Sequence, residues 1–237
     1  MKSLLCGCLL IVCISCNKIT DIVKDFTSGS SSCRIHTVTD SIISPADTII
    51  RIATCNYNAH GDPISVTYNR RETGFGWSFL TYDQRNRLIG LVSENNAIHS
   101  YVYEGNAKQP TWDTVTSVNT ATTFIERFTY DQRGRIVKVS GKFLRSEGGD
   151  VYPDYEQQYS YNEQGNLKGS FDYDNKVSVY STHPVWMFIH RNYSVNNIVR
   201  AISYNNKGLP LHFTGGLGTA YFFEGSFNAA RVEYDCR

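Results

Sequence analysis

Histidines, cysteines and carboxylates are the side chains of this 237-residue chain that could perform acid–base chemistry or hold a metal ion. Six histidines are scattered along it, and only His183 and His190, seven residues apart, come near the spacing of a ligand pair. The chain contains no His-Glu-x-x-His motif, no phosphate-binding glycine loop and no nucleophile elbow. We therefore predict a protein that is not an enzyme, with no catalytic residue, no metal site and no cofactor. A hydrolase with residues scattered over several strands is the less favoured alternative.

Aromatic side chains offer a second kind of chemistry, the stacking and burial of a ligand. Trp186 and Phe188 lie in the apolar block 183-HPVWMFIHRNY-193. There they either line a ligand pocket or, as we favour, fill the space against a sheet as a structural plug. Trp77 and Trp112 suit stacking against sugar rings, although isolated tryptophans more often pack in cores. The candidate ligand-contact residues are therefore Trp186, Phe188, Trp77 and Trp112.

The N-terminus predicts an exported protein. Residues 4–14 form an apolar run that is too short to span a bilayer, which takes about 20 helical residues. The run ends at Cys13-Ile14-Ser15-Cys16, which resembles the lipobox of bacterial lipoproteins. The resemblance implies a signal peptide over 1–15 and a diacylated Cys16, followed by a flexible tether over 16–32. Leu5-Cys6-Gly7-Cys8 and an ordinary secretory signal are the alternatives.

Three cysteines remain beyond the predicted lipidation site: Cys33, Cys55 and Cys236. In an exported protein we expect one disulfide among them, and all three pairings are open. The alternative is that none of them pairs. Without Lys2 the chain carries equal numbers of basic and acidic side chains, 22 each, and no basic patch. This balance argues against nucleic acid as a partner and leaves the N-terminal lipid as the predicted attachment to the membrane.

From Cys33 onward, short runs rich in Val, Ile, Thr, Tyr and Phe alternate with turn residues, which is typical of β-strands. One motif recurs in the turns: Tyr, then Asp or Asn, two polar residues, Gly or Asn, one variable residue and an apolar stretch. Its side chain at the second position accepts backbone hydrogen bonds, and its fifth position requires positive φ. The residues that define the copies are Tyr57, Gly61, Tyr82, Asp83, Asn86, Tyr130, Asp131, Gly134, Tyr161, Asn162, Gly165, Tyr204, Asn205 and Gly208.

These copies resemble the YD repeats of the Rhs family, most closely at 130-YDQRGRI-136. The short, lipid-anchored format is similar to that of YD-like repeat lipoproteins of Bacteroidota. The resemblance implies a fold rather than an activity, because five to eight copies cannot enclose a toxin cargo. We expect one all-β domain over 33–237, an antiparallel meander of YD-type hairpins that forms one curved open sheet or half-barrel. The apolar block at 183–193 is its expected plug.

Three functions follow from these expectations. The first is a non-enzymatic, lipid-anchored envelope protein that binds a glycan or a partner protein, or acts as a scaffold. The second is a periplasmic carrier that holds a lipid or other apolar ligand between the curved sheet and the plug. The third, a hydrolase, needs a cleft where carboxylates or histidines converge. Acidic residues do not directly follow Cys16, so we favour the periplasmic face of the outer membrane over the cell surface.

Overall fold

The computed structural model describes residues 33–43, 48–70, 76–94, 97–117, 119–120, 122–145, 153–169, 172–198, 201–213, 220–223, 225–227 and 229–236. The predicted signal peptide, Cys16 and the tether lie outside these residues. The strands are β1 Cys33–Ile43, β2 Thr48–Tyr57, β3 Pro63–Tyr68, β4 Ser78–Tyr82, β5 Leu88–Ser93, β6 Ala97–Val102, β7 Trp112–Ser117, β8 Thr123–Tyr130, β9 Ile136–Arg145, β10 Tyr155–Gln158, β11 Tyr173–Val177, β12 Asn196–Ile198, β13 Ala201–Tyr204, β14 Pro210–Phe213, β15 Ala220–Phe222, β16 Gly225–Phe227 and β17 Ala230–Cys236. A 3-10 turn, Val179–Thr182, leads into the short helix α1, Pro184–Ile189. Within the described ranges, no helix is both long and apolar enough to cross a membrane.

Thirteen strands form one sheet in the order β10-β9-β8-β7-β6-β5-β4-β3-β2-β1-β17-β14-β13. Strands β1 to β10 are an up-and-down antiparallel meander, in which each strand pairs with the next along the chain. The two outermost strands, β10 and β13, do not pair with each other, and the sheet is curved and open. The predicted all-β class, with one open sheet and a short plug, is confirmed.

The C-terminal strand departs from a simple meander. Strand β17 lies between β1 and β14, so the two ends of the described chain are neighbours in the sheet. Cys33 and Cys236 face each other in this pairing and form a disulfide across a sequence separation of 203 residues. Apolar residues of β17, such as Val232, are buried in the core with Val38 of β1. The tie between first and last strands closes nearly the whole domain into one covalent loop.

The recurring turn has the same geometry in each copy. The tyrosine pairs across the hairpin with the residue six positions later, as in Tyr82 with Leu88 and Tyr130 with Ile136. In two copies Asp83 and Asp131 accept hydrogen bonds from the backbone N–H groups two and four residues on. The fifth position has positive φ in every copy: Gly61 93°, Asn86 57°, Gly134 74°, Gly165 88° and Gly208 78°. Turn chemistry alone therefore explains these residue types.

Most of the repeat tyrosines, and also Tyr103 and Tyr234, link their hairpin to the one before, whereas the Tyr204 hydroxyl donates to Asp174. The hydroxyl of Tyr82 donates to the carbonyl of Pro63 at 2.7 Å, and that of Tyr103 donates to the carbonyl of Leu88 at 2.7 Å. Hydroxyls later in the chain repeat the pattern, from Tyr130 to Pro110, Tyr161 to Ile136 and Tyr234 to Pro210. Burial raises the pKa of these tyrosine hydroxyls, so they stay protonated donors across the physiological range. The ladder links neighbouring hairpins into one continuous unit.

Candidate functional site

The inner face of the sheet is covered by α1, and a histidine caps the start of this helix. His183 precedes the helix, and its ring Nδ1 accepts a hydrogen bond from the N–H of Val185 at 3.2 Å. Its Nε2 faces the Asp62 carboxylate at 3.5 Å. Burial lowers the pKa of His183 to about 4, although Asp62 opposes the shift, so the ring is neutral at neutral pH. A neutral ring is what the hydrogen bond at Nδ1 requires.

A second neutral histidine fixes the other end of α1. His190 accepts a hydrogen bond from the N–H of Phe223 through Nε2 at 3.3 Å, and its ring stacks on Tyr180 at 4.3 Å between centroids. Burial lowers the pKa of His190 to about 4. The two histidines flank α1 and bind different elements. Among the described residues, no three His, Cys, Asp or Glu side chains are grouped to hold a metal ion.

The apolar residues of α1 fill the space between the helix and the sheet. Trp186 is 2% exposed and packs edge-on against Phe223 at 4.7 Å between ring centroids. The Phe188 ring packs edge-on against Tyr101 and Phe128, with ring centroids 5.1 Å and 5.4 Å apart. The remaining cavity beside Phe188 measures about 30 Å³, which is room for about one water molecule. The structure therefore places two of the predicted ligand-contact residues, Trp186 and Phe188, in the packed core.

A buried charged side chain lies on this largely apolar face. Glu126 is 2% exposed, accepts a hydrogen bond from the Tyr155 hydroxyl and pairs with the guanidinium of Arg191, which follows α1. Tyr155 reaches Glu126 by crossing over Gly141, where an added Cβ would lie 2.0 Å from the tyrosine ring. The buried carboxylate thus has a counter-ion and two donors, as burial of a charge requires. It joins the plug to strand β10 at the edge of the sheet.

A second carboxyl group stands next to the first. Asp113 is 1% exposed and is the direct cross-strand partner of Glu126. Its Oδ2 lies 2.7 Å from Nδ1 of His99. Burial raises the pKa of Asp113, and the nearby Glu126 adds to the shift while His99 opposes it. Two adjacent carboxyl groups, of which Asp113 has a raised pKa, could serve acid–base chemistry. Here, however, Asp113 lines the 30 Å³ cavity rather than an open cleft.

The outer face of the same strands carries an open groove of about 520 Å³. Its lining combines apolar and charged side chains, among them Trp112, Ile125, Arg127, Lys142, Leu144 and Glu156. The Arg127 guanidinium lies 5.1 Å from the Trp112 ring centroid, and the indole N–H donates to Glu104 at 3.3 Å. Hydrogen bonds from Lys138 and Gln158 lower the pKa of Glu156, so this carboxylate is ionised at neutral pH. Tyr155 is also among the lining residues, although its hydroxyl donates to Glu126 across Gly141 on the other face of the sheet.

The other predicted residues are distributed as follows. Trp77 is partly buried and packs against the core cluster next to Phe79, with ring centroids 6.4 Å apart. Cys33 and Cys236 form the disulfide, and Cys55 is a buried free thiol whose pKa is raised by burial. The repeat residues form the turns that connect the ends of neighbouring strands. Of the four ligand-contact candidates, Trp112 is the one that lines the outer groove.

Sequence reasoning did not identify Glu126, Asp113, Arg191 or Tyr155. One signal was available: Glu126 alternates with Phe124 and Phe128, so it occupies an apolar face of its strand. Its partners come from strands and loops whose register the sequence does not fix.

The chain matches no known protein family and no curated protein. Among solved structures, a porin-like protein from Bacteroides uniformis ATCC 8492 is 12% identical, over 87% of this chain and 96% of that one, with a TM-score of 0.49. A chain of the TcdB2-TccC3-TEV structure is 13% identical over 81% of this chain, which spans only 10% of that chain, with a TM-score of 0.31. Because both TM-scores lie below 0.5, neither similarity supports a conclusion about family or function.

Proposed function

We propose that this protein is a lipid-anchored, non-enzymatic envelope protein that binds a glycan in the outer groove. The observation that carries the proposal is the groove itself, about 520 Å³ in volume, with Trp112 in its wall and charged groups of both signs around it. Binding sites combine apolar and aromatic surface with a few polar groups that fix orientation. On the inner face, the cavity beside Phe188 measures only about 30 Å³, because the plug packs there against the sheet.

The residues of the groove suit a sugar for two reasons. Trp112 presents an aromatic surface for the apolar face of a sugar ring, and its N–H and the stacked Arg127 hold the indole in place. Lys142, Asp154 and Glu156 supply donors and acceptors for hydroxyl groups. Since both signs of charge are present, a neutral glycan fits better than a highly charged one.

The same residues support binding rather than hydrolysis. A glycosidase needs one carboxylic acid with a raised pKa beside a second carboxylate at the scissile bond. Within the groove, the pKa of Glu156 is lowered by Lys138 and Gln158, which is the wrong direction for a general acid. Among the described residues, the carboxyl group with a raised pKa is that of Asp113, which lines the small cavity on the opposite face.

Membrane attachment and ancestry belong to the same proposal. The lipobox-like segment supports removal of residues 1–15 and lipidation of Cys16, with the domain at the periplasmic face of the outer membrane. The turn geometry shared by the five copies supports a relationship to the YD-repeat proteins. Metabolic labelling with an alkynyl fatty acid, compared between the parent protein and Cys16→Ala, tests the lipid anchor.

The glycan proposal is tested by screening the purified protein on a glycan array and measuring the best ligand by calorimetry. We expect Trp112→Ala to weaken binding about 30-fold, the loss typical of a tryptophan hot spot. Phe79→Ala is the matched control, because Phe79 is an exposed aromatic residue of the sheet, 39% accessible, that lies outside the groove. Equal affinities of the parent protein and Trp112→Ala would overturn the proposal. Loss of affinity only in Phe79→Ala would do the same.

The carrier alternative receives less support from the geometry. The roughly 30 Å³ beside Phe188 is far too small for an acyl chain, so a chain bound at that position would require α1 to leave the sheet. That movement would break the contacts of Trp186 and the pairing of Arg191 with buried Glu126. Mass spectrometry of the protein extracted under mild conditions tests this alternative, which predicts a co-purified lipid.

A further inference from the structure

A second pocket, distinct from the outer groove, opens where the repeat turns meet the start of α1. It measures about 270 Å³, slightly below the usual range of drug-sized sites, roughly 300–1,000 Å³. One wall comes from the repeat units around Tyr82 and Tyr103, and the other from residues of the plug, including Val185, Phe188 and Tyr193. The pocket therefore has the dimensions of a small molecule with a single ring.

Its walls present aromatic rings rather than hydroxyl groups. The hydroxyls of Tyr82 and Tyr103 are engaged by the carbonyls of Pro63 and Leu88. Their ring carbons, together with Phe188 from α1, are what a ligand would touch. Aromatic pockets of this kind favour a planar ring, which can pack in offset or edge-on geometry against each wall.

The other charged groups of the lining already have partners within the protein. The guanidinium of Arg87 donates to Asp83 at 2.8 Å and stacks on the Tyr103 ring at 4.3 Å. Asp62 accepts a hydrogen bond from Asn58 at 3.2 Å and faces the neutral ring of His183.

Lys108 differs from these groups. It is exposed at the mouth of the pocket, and among the described lining residues it is the charged group for which the structure shows neither an ion pair nor a hydrogen bond. An unpaired ammonium beside aromatic walls matches a ligand that carries a ring and one negative group.

We propose that this pocket binds a small aromatic monocarboxylate, with its ring between the tyrosine and phenylalanine walls and its carboxylate at Lys108. The same chemistry is presented by a free arylalkanoic acid and by the C-terminal aromatic residue of a peptide. The site lies apart from the outer groove and does not depend on glycan binding, so either proposal can fail while the other stands.

The test is a titration of the purified ¹⁵N-labelled protein followed by amide chemical shifts. The probes are 3-phenylpropionate, its uncharged amide, and N-acetyl-alanyl-phenylalanine with a free C-terminus. The variants are Lys108→Met, which keeps an apolar stem but removes the charge, and Lys168→Met as a control at an exposed lysine outside the pocket. Both lysines are exposed, so neither variant removes a core contact.

We expect 3-phenylpropionate to shift amides at Tyr103, Lys108 and Val185. Affinity should fall about 10-fold for the uncharged amide and for Lys108→Met, and should be unchanged in Lys168→Met. Equal or tighter binding of the dipeptide would identify a peptide terminus as the source of the ligand, whereas exclusion of the dipeptide would identify the free acid. The proposal is overturned if neither charged probe shifts these amides at millimolar concentration. It is also overturned if Lys108→Met binds like the parent, or if the shifts fall instead around Trp112.

Discussion

Acidification should loosen the plug because both histidines that fix it are neutral in the folded protein. The ordinary pKa of histidine, 6.5, falls to about 4 at His183 and at His190 as a result of burial. A group whose pKa is lowered by folding contributes its full stability above pH 6.5 and loses it as the pH falls from 6.5 towards 4. Between pH 7.5 and about 5, the unfolding free energy should therefore fall by about 2 kcal/mol for each histidine and by about 4 kcal/mol for the pair.

The assay is urea unfolding of the disulfide-bonded protein at a series of pH values. The matched variants replace the two histidines with side chains that do not titrate. His183→Asn keeps an acceptor close to Nδ1 for the N–H of Val185, and asparagine is a good N-cap residue. His190→Gln keeps an acceptor near Nε2 for the N–H of Phe223. The double variant should lose about 4 kcal/mol less stability than the parent over the same pH interval.

Asp113 acts in the opposite direction, because burial raises its pKa and the folded state therefore retains its proton more readily as the pH falls. This contribution is present in both proteins and cancels in the comparison. Parallel pH profiles for the parent and the double variant would refute the reasoning, since the histidines would then contribute nothing to the pH dependence.

Three further predictions concern the network at the edge of the sheet and the disulfide. Gly141→Ala should destabilise the protein by about 1–3 kcal/mol in urea, because its Cβ would displace the Tyr155 ring; an unchanged midpoint would mean that the ring moves freely. Arg191→Met should cost about 3–5 kcal/mol, because it leaves the buried Glu126 charge without its partner. Glu126→Gln should cost less, because the Arg191 side chain is 26% exposed, and the double variant should cost less than the sum of the two. Additive losses would contradict a direct pairing. Reduction of the disulfide, which spans 203 residues, should lower the unfolding free energy by about 5 kcal/mol on the chain-entropy model. A loss below about 1 kcal/mol would contradict that model here.

The fold was accessible from the sequence because its repeat is local. Positive φ occurs at the position where a type I turn with a bulge requires it, and Asn86 replaces glycine there with a φ of 57°. Alternation along strands such as β8 assigns each residue to a face. The position of β17 beside β1 could not be predicted from the sequence, because it depends on a pairing between residues 33 and 236. Nothing in short-range turn chemistry specifies such a contact.

The sites were harder to predict because they arise where the repeat rules are broken. An ideal unit would place an apolar residue at Glu126 and a side chain at Gly141, yet the missing side chain at Gly141 is what lets Tyr155 reach Glu126. The same Tyr155 lines the outer groove, while Arg191 brings the compensating charge from the plug. Each of these departures from the repeat is unfavourable alone and becomes stable only together with the others. No single residue in the sequence therefore predicts the network. The departures from the repeat, rather than the repeat itself, are therefore where binding chemistry should be sought in this fold.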